Sequence, residues 1–434
     1  MATQAPATSR KLGLVELVAM GVGGMIGGGI FSVLGLAVGI AGHAAPLAFL
    51  IGALIALAGG YSYVKLALTF RDDGASYTYL ARAFPKFRLV STLGGWTVIV
   101  GYVGTLALYA FTFGAYGADL LGHGDNQLIR MALSALVLVF FLTINLRGTG
   151  DAGLVEDLIV YTKIALLGFF AIAGAITVHP NDLLPVFDRG VPSVFMAGAL
   201  VFVAFEGFQL ITNVVTEMHN PERNVARGIY LSIFITSVIY IVLAIVGVGN
   251  LGEAELIAAK EYALAAAARP VLGEAGVVLV GVAALLATSS AINATVFGAS
   301  RMMAQMANQK RMPKLFTRHN AKGAPNMAVY ALLGFAALFT LMGELEVIAA
   351  FSSMTFLLVS IGVSAANLKL RKKSGSSPML IFLGLALMGI TVVLLINYLW
   401  VNERATLGII FALYGMVGTA AALYEVYGDR HAHG

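Results

Sequence analysis

The chain of 434 residues contains no cysteine and few charged residues. Without cysteine, no disulfide, thiolate nucleophile or Cys-ligated metal site can form. Charged residues make up 11% of the chain and hydrophobic residues 59%, whereas soluble domains hold about 25% and about 45–50%. Because single soluble cores stop growing near ~250–300 residues, the apolar surplus indicates a protein whose main solvent is lipid.

Catalytic and nucleic-acid-binding patterns are also missing from the sequence. It has no HExxH motif, no Walker loop and no Ser/His/Asp arrangement, and its seven histidines fall in predicted loops or the C-terminal tail. The net charge of +5 is not concentrated in any one motif, which argues against a nucleic acid partner. We therefore expect no enzyme activity, no metal and no cofactor.

Long apolar runs recur twelve times, and each approaches or exceeds the ~20 residues that cross the hydrocarbon core as a helix. These runs, named spans 1 to 12, cover residues 14–41, 46–70, 90–121, 128–147, 154–178, 192–217, 227–250, 275–303, 326–342, 346–368, 379–400 and 405–427. The eleven prolines stand at span starts, in loops or in the tail, so any break within a span has to be made by glycine. The sequence predicts an all-α integral membrane protein with twelve transmembrane helices.

Lysine and arginine are divided unequally between alternate loops. With the N-terminus placed inside, 20 of them fall in the inner loops and tails and 5 in the outer loops. This division follows the positive-inside rule. It predicts a multi-pass protein of the cell membrane with both termini in the cytoplasm.

Two spans are interrupted near their middles. Span 1 reads MGVGGMIGGGIF over residues 20–31, and each glycine costs about 1 kcal/mol relative to alanine in a helix. Close helix packing through small residues is the alternative explanation. Span 6 carries Glu206 and Gly207 within FVAFEGFQLITN, 180 residues after Gly27. Interruptions at matching positions of two halves are typical of inverted-repeat transporters.

Unwound backbone at membrane depth is tolerated only where it lines a cavity. Its free N–H groups and the positive end of the next helix suit a carboxylate, and its free carbonyls suit an ammonium or another cation. A zwitterionic amino acid matches both halves of such a site.

Several phrases, in order, resemble the amino acid–polyamine–organocation (APC) superfamily of transporters. They are GVGGMIGGGIF, DDGASYTYLARAF, FEGFQLITNVVTEMHNPERNVARGI, YALAAAARPVLG and TSSAINATVFGASRMM. The resemblance covers about residues 12–312 and looks closest to the proton-coupled ApcT-type and cationic amino acid transporters. The chain departs from the pattern at Ala226, where relatives carry proline, and at Glu206, where an uncharged residue is common.

The resemblance implies a LeuT-like five-plus-five inverted repeat with discontinuous helices 1 and 6. The parts would be a tail at 1–11, repeats at 12–178 and 191–370, two further helices at 378–428, and a tail at 429–434. It also implies a substrate site, with the carboxylate on backbone amides of span 1 and the ammonium on carbonyls of span 6. Its residues would be Ile26, Gly27, Gly28, Gly29, Val203, Ala204, Glu206 and Gly207.

Lys163 lies ten residues into span 5. A lysine at mid-membrane costs about 2.5–3.5 kcal/mol on insertion scales, and both interfaces are roughly 15 Å away, beyond the reach of the side chain. A structural ammonium that binds carbonyls is one explanation. In the resemblance, Lys163 matches a lysine that replaces a sodium ion, with the Gly23 carbonyl and the Thr288 and Ser289 hydroxyls as partners, which implies proton coupling without sodium.

Glu206 has three possible roles: a proton carrier, a negative wall that selects cationic substrates, or an acceptor for unpaired backbone N–H groups. Phe202, Phe205 and Phe208 flank it and are candidates for a gate, although core packing explains each of them as well.

These patterns favour a secondary active transporter that imports amino acids with protons by alternating access. Its partners would be an amino acid, protons and membrane lipid. An exchanger or a sodium-coupled carrier is the first alternative, and a permease-like sensor that binds without transport is the second.

Overall fold

The computed structural model describes residues 11–72, 74–147 and 152–427, so the predicted tails lie outside the described residues except for Lys11. Within these ranges the fold is all-helical, as predicted. Fifteen α-helices are described: α1 Leu14–Met25, α2 Gly28–Ala41, α3 Ala45–Phe70, α4 Ala75–Ala83, α5 Arg88–Leu120, α6 Gln127–Arg147, α7 Ala152–Thr177, α8 Val191–Val201, α9 Pro221–Leu251, α10 Glu253–Ala259, α11 Ala263–Asn308, α12 Asn326–Met342, α13 Leu345–Ser374, α14 Pro378–Asn402 and α15 Arg404–Tyr427.

Ten helical stretches of the described ranges are long and apolar enough to cross a membrane. One of them, Gly28–Phe70, contains α2 and α3, which a short 3₁₀ turn at Gly42–Ala44 joins. Two shorter apolar helices, Leu14–Met25 and Asn326–Leu341, stand beside these ten. The chain is therefore a polytopic α-helical protein, and the count of twelve spans stays a prediction.

Both spans with predicted interruptions depart from regular α-helix. Span 1 consists of α1 and α2, which are separated at Ile26 and Gly27. Span 6 begins as α8 and continues as a 3₁₀ helix over Phe202–Glu217, named the 3₁₀ stretch below. A 3₁₀ helix of this length is uncommon, because its hydrogen-bond geometry is poorer than that of an α-helix.

The interrupted helices occupy the centre of the bundle. Twelve of the fourteen residues of α2 are buried, whereas only four of the twenty-one residues of α6 are. Around this centre, α1 packs against α9 and the 3₁₀ stretch, and α2 packs against α8 and α11. The long helix α5 packs against α6, α11, α12 and α13. The interruptions are thus enclosed by helices rather than exposed to lipid.

The two ends of the bundle differ. On the side predicted to be cytoplasmic, Leu12 N donates to Glu217 O at 2.9 Å and His219 N donates to Leu12 O at 2.8 Å, which ties the start of α1 to the end of the 3₁₀ stretch. On the opposite side, a cavity of about 740 Å³ is lined by residues such as Gly39 and Lys260. The bundle is therefore tied at one end and indented at the other.

Candidate functional site

The break in span 1 is a two-residue departure from helical geometry. Ile26 has φ −79° and ψ 77°, and Gly27 has φ −121° and ψ −134°. Because α2 starts at Gly28, the N–H groups of its first turn have no acceptor within the helix, and no side chain caps them at Gly27. These amides, with the positive end of α2, can bind an anion such as a carboxylate.

Glycine lets the break touch the 3₁₀ stretch directly. A Cβ added at Gly207 would lie 2.3 Å from the backbone C of Gly24 and from the backbone N of Met25. One added at Gly29 would lie 2.3 Å from the Cβ of Ala204. Close backbone contact between the two interrupted helices therefore requires glycine at both positions.

Four consecutive carbonyls around the break accept hydrogen bonds from side chains of other helices. The Tyr109 hydroxyl of α5 donates to Gly24 O at 3.0 Å. The Tyr240 hydroxyl of α9 donates to Met25 O at 2.5 Å. Lys163 Nζ of α7 donates to the two outer carbonyls, those of residues 23 and 26, at 3.0 and 2.7 Å. Three surrounding helices thus donate to the four carbonyls around the break, of which that of Met25 also accepts from Gly27 N at 2.8 Å.

Lys163 is fully buried, and its third hydrogen bond goes to Ser290 Oγ of α11 at 2.6 Å. The sequence prediction put Ser289 and Thr288 in this position. In the structure Ser290 takes it, and Thr288 Oγ1 donates to the carbonyl of Ala284 in its own helix at 2.7 Å. Neighbouring helical positions differ by about 100° around the axis, so a shift of one residue decides which hydroxyl faces Lys163.

The 3₁₀ stretch differs from the opened segment that the sequence predicted at Glu206 and Gly207. Backbone torsions leave the helical region at Val214, with φ −131° and ψ 24°, instead of at the Glu–Gly pair. The carbonyl of Ala204, predicted to meet the substrate ammonium, accepts a hydrogen bond from the Tyr240 hydroxyl at 3.1 Å. In this conformation an ammonium would have to displace that hydroxyl.

Glu206 is 1% exposed. Its Oε2 atom has no hydrogen-bond partner in the part of the chain that the structure describes. Thr105 of α5 stands beside the carboxyl, but its hydroxyl donates to the carbonyls of Gly101 and Tyr102. A carboxylate oxygen left in this state suits a proton or a mobile ligand better than a purely structural role.

All eight predicted substrate residues are buried. Gly29, Ala204 and Gly207 lie at the contact between the two interrupted helices, whereas an added Cβ at Gly27 or Gly28 would meet α5 and α11. The three candidate gate residues are fully buried as well. The Phe205 ring lies 5.2 Å from the Tyr240 ring and the Phe208 ring 5.6 Å from the Tyr63 ring, both edge-on. These contacts are what core packing requires, and gating by the rings stays a prediction.

Sequence reasoning did not find Tyr109, Tyr240 and Ser290. Each places one polar atom in an otherwise apolar span, and the sequence of a single helix does not distinguish such a residue from one that only packs in the core. The available signal was the tyrosine hydroxyl, because a buried phenol needs a hydrogen-bond partner.

An all-helical membrane protein with a buried polar site at a broken helix has the architecture of a secondary transporter. Comparison with known proteins agrees. The chain matches the sequence profile of the amino acid permease family over residues 12–422. It therefore belongs to that family, and the predicted membership of the APC superfamily is confirmed.

Three relatives cover nearly the whole chain. An uncharacterized protein of Methanocaldococcus jannaschii is 32% identical over 95% of this chain and 93% of its own length. The inner membrane transport protein YbaT of Escherichia coli is 29% identical over 95% and 96%. The branched-chain amino acid permease BcaP of Bacillus subtilis is 25% identical over 98% and 94%. The relatives with an assigned role are transporters rather than enzymes.

Proposed function

We propose that this protein imports amino acids by alternating access, with a proton carried on Lys163 as the coupling ion. The family supports amino acids as the substrate class. The carboxylate would bind the amides of Gly28 and Gly29. The ammonium would bind carbonyls of the 3₁₀ stretch near Val203 and Ala204 once the hydroxyl of α9 moves away.

One observation carries the coupling proposal, namely the set of oxygen partners around the Lys163 ammonium. The ammonium binds two carbonyls of the break and one hydroxyl of α11 at 2.6–3.0 Å. Carbonyl and hydroxyl oxygens are also the ligands of alkali cations. A charged lysine therefore stabilises the break as a cation would, and loss of its proton removes one donor and the charge, which weakens its hold on the two carbonyls.

The proposed architecture is the predicted one, with twelve spans, a five-plus-five inverted repeat and both termini in the cytoplasm of the cell. Two departures from regular helix, at residues 26–27 and in the 3₁₀ stretch, occur in spans 1 and 6, which correspond in the two proposed repeats. The broken helices would then move against α5 and its neighbours to expose the site to each side in turn.

Uptake of radiolabelled amino acids into proteoliposomes tests the proposal. The wild type is measured in sodium-free buffer with and without an inward proton gradient, next to Lys163→Met. Lys65→Met is the matched control, because Lys65 Nζ donates to the carbonyl of Gly375 at 3.4 Å and lies 5.9 Å from the centre of the Tyr61 ring, with no contact to the break described. We expect gradient-driven uptake in the wild type and the control, and at least a tenfold loss in Lys163→Met.

Three other outcomes would contradict the proposal. Uptake that needs internal substrate but ignores the gradient would identify an exchanger. Uptake that needs sodium would assign the coupling to a different cation. Binding without any uptake would indicate a sensor.

A further inference from the structure

Three polar side chains of the 3₁₀ stretch are buried with unsatisfied atoms. Glu206, Gln209 and Asn213 are each 1% exposed. Within the described ranges, four of their atoms have no hydrogen-bond partner: Glu206 Oε2, Gln209 Nε2, and both Nδ2 and Oδ1 of Asn213. An unsatisfied buried polar atom costs about 1–3 kcal/mol, so four in one short segment are expected only where water or a mobile ligand completes them.

Two phenols connect these side chains into one cluster. The Tyr63 hydroxyl of α3 donates to Gln209 Oε1 at 3.1 Å and also faces Glu206. The Tyr102 phenol of α5 faces both Glu206 and Asn213. The titratable groups that face the carboxyl across α3 and α5 in the described residues are these two phenols and that of Tyr109. The three unsatisfied residues therefore share one polar pocket.

The 3₁₀ stretch continues past the cluster toward the side predicted to be cytoplasmic. A Cβ added at Gly298 of α11 would lie 3.2 Å from Asn213 Nδ2, so α11 closes this side of the pocket. Further along, Glu217 is 39% exposed, and its Oε1 lies 3.7 Å from Arg301 of α11. Eleven residues separate it from Glu206, which is roughly 22 Å at the 3₁₀ rise of about 2.0 Å per residue. The stretch thus runs from the buried carboxyl of Glu206 to the partly exposed carboxyl of Glu217.

We infer that Glu206, Gln209 and Asn213 hold a chain of ordered water that carries the coupled proton between the site and the partly exposed end of the 3₁₀ stretch at Glu217. This inference rests on the proposed proton coupling. The amide Nδ2 and Nε2 groups donate to water oxygens, and Asn213 Oδ1 accepts from a water. The proton that Lys163 gives up enters this chain at its first water, and each water, like the Glu206 carboxylate, passes one proton on as it receives another, so charge and atoms balance.

The test separates proton release from substrate movement. In substrate–substrate exchange at equal pH the loaded carrier returns loaded, so no proton has to leave. Gradient-driven uptake requires release in every cycle. We would measure both rates in proteoliposomes that contain a pH-sensitive dye, for the wild type, Asn213→Leu and Gln209→Met. Ser360→Ala is the matched control, because this buried hydroxyl of α13 also lacks a described partner.

We expect Asn213→Leu and Gln209→Met to lose gradient-driven uptake and proton influx at least tenfold while exchange stays within twofold. Asn213→Ser, which keeps a polar group for water, should recover part of the loss, and Ser360→Ala should match the wild type. If Asn213→Leu does not fold, Gln209→Met carries the same test.

Unchanged proton influx in both apolar variants would overturn the inference, and so would an equal loss of exchange and uptake in folded protein. Either result would leave the proposed function intact, because the wild type would still be proton-coupled. A wild type without gradient-driven uptake would instead overturn the proposed function, and the inference with it.

Discussion

Replacing Gly207 by alanine tests whether the contact between the two interrupted helices is as close as the structure has it. The new Cβ would lie 2.3 Å from two backbone atoms of α1, about 1.1 Å short of the 3.4 Å at which ordinary contact begins. Backbone atoms cannot turn aside as a flexible side chain can. The two helices would have to separate, or the variant would leave this conformation.

The size of the effect follows from the nature of the contact. Overpacking a closely packed core typically costs 1–3 kcal/mol. Because the new Cβ would clash with backbone atoms of α1, we expect Gly207→Ala to lie near the upper end of this range, at about 3 kcal/mol. If another conformation relieves the clash, the same energy shifts the population by roughly 150-fold. The variant should therefore unfold at a lower temperature and lose most of its transport.

Thermal unfolding in detergent and uptake in proteoliposomes measure the two effects. Gly168→Ala is the control, because Gly168 lies in α7 with no atom within 4 Å of an added Cβ. Alanine is favoured over glycine in a helix by about 0.5–1 kcal/mol, so this variant should be at least as stable as the wild type. The close contact would be refuted if Gly207→Ala matched Gly168→Ala in both assays.

Three further variants test other contacts. Lys163→Met leaves two buried carbonyls without their donor, which costs about 1–3 kcal/mol for each carbonyl, so the unfolding temperature should fall. An unfolding temperature equal to that of the wild type would exclude the lysine contacts. Tyr240→Phe removes the hydroxyl that donates to Ala204 O, where the ammonium is proposed to bind. We expect an altered KM for uptake, and an unchanged KM would mean that this carbonyl takes no part in binding. In the loop before α8, burial raises the pKa of Asp188, but hydrogen bonds from His43 outweigh it and hold that pKa below its ordinary value of 3.8. The contribution of the Asp188 carboxylate to stability is present above pH 3.8 and is lost as the pH falls through the lowered pKa. Asp188→Asn should therefore unfold at a lower temperature than the wild type at pH 6, and at about the same temperature at strongly acidic pH. A difference in unfolding temperature that stays constant with pH would contradict this.

The helical fold and the break in span 1 could be predicted because they follow from composition. Apolar runs of membrane length leave the backbone no option but helix, and consecutive glycines at residues 27–29 weaken the helix where they occur. The division of lysine and arginine between loops gave an orientation for the same reason, since it depends on counts rather than on packing.

The local geometry of the site could not be predicted in the same way. Which hydroxyl of α11 faces Lys163 depends on the rotation of that helix, and a sequence with polar residues at 288, 289 and 290 does not determine it. The phrase FEGFQLIT is compatible with helices of 3.0 and 3.6 residues per turn, so the 3₁₀ stretch was read as an opened segment. Tyr240 reads as core from its ring, and only the tertiary packing shows which carbonyls its hydroxyl meets.

The hydrogen bonds to span 1 are strong enough to stabilise one conformation and weak enough for a substrate to break them. Four hydrogen bonds from Tyr109, Lys163 and Tyr240 hold the carbonyls around the break. At about 0.5–1.5 kcal/mol net for each tyrosine bond and about 1.5–3 kcal/mol for each bond of the charged lysine, they contribute about 4–9 kcal/mol. This range contains the ≈5.5 kcal/mol that changes a two-state ratio from 1:99 to 99:1. A bound amino acid that moves the Tyr240 hydroxyl away, together with loss of the charge on Lys163, would break or weaken three of these four bonds. Neither event alone would be enough, because each leaves some of these hydrogen bonds in place. The requirement for both events would couple substrate transport to proton transport.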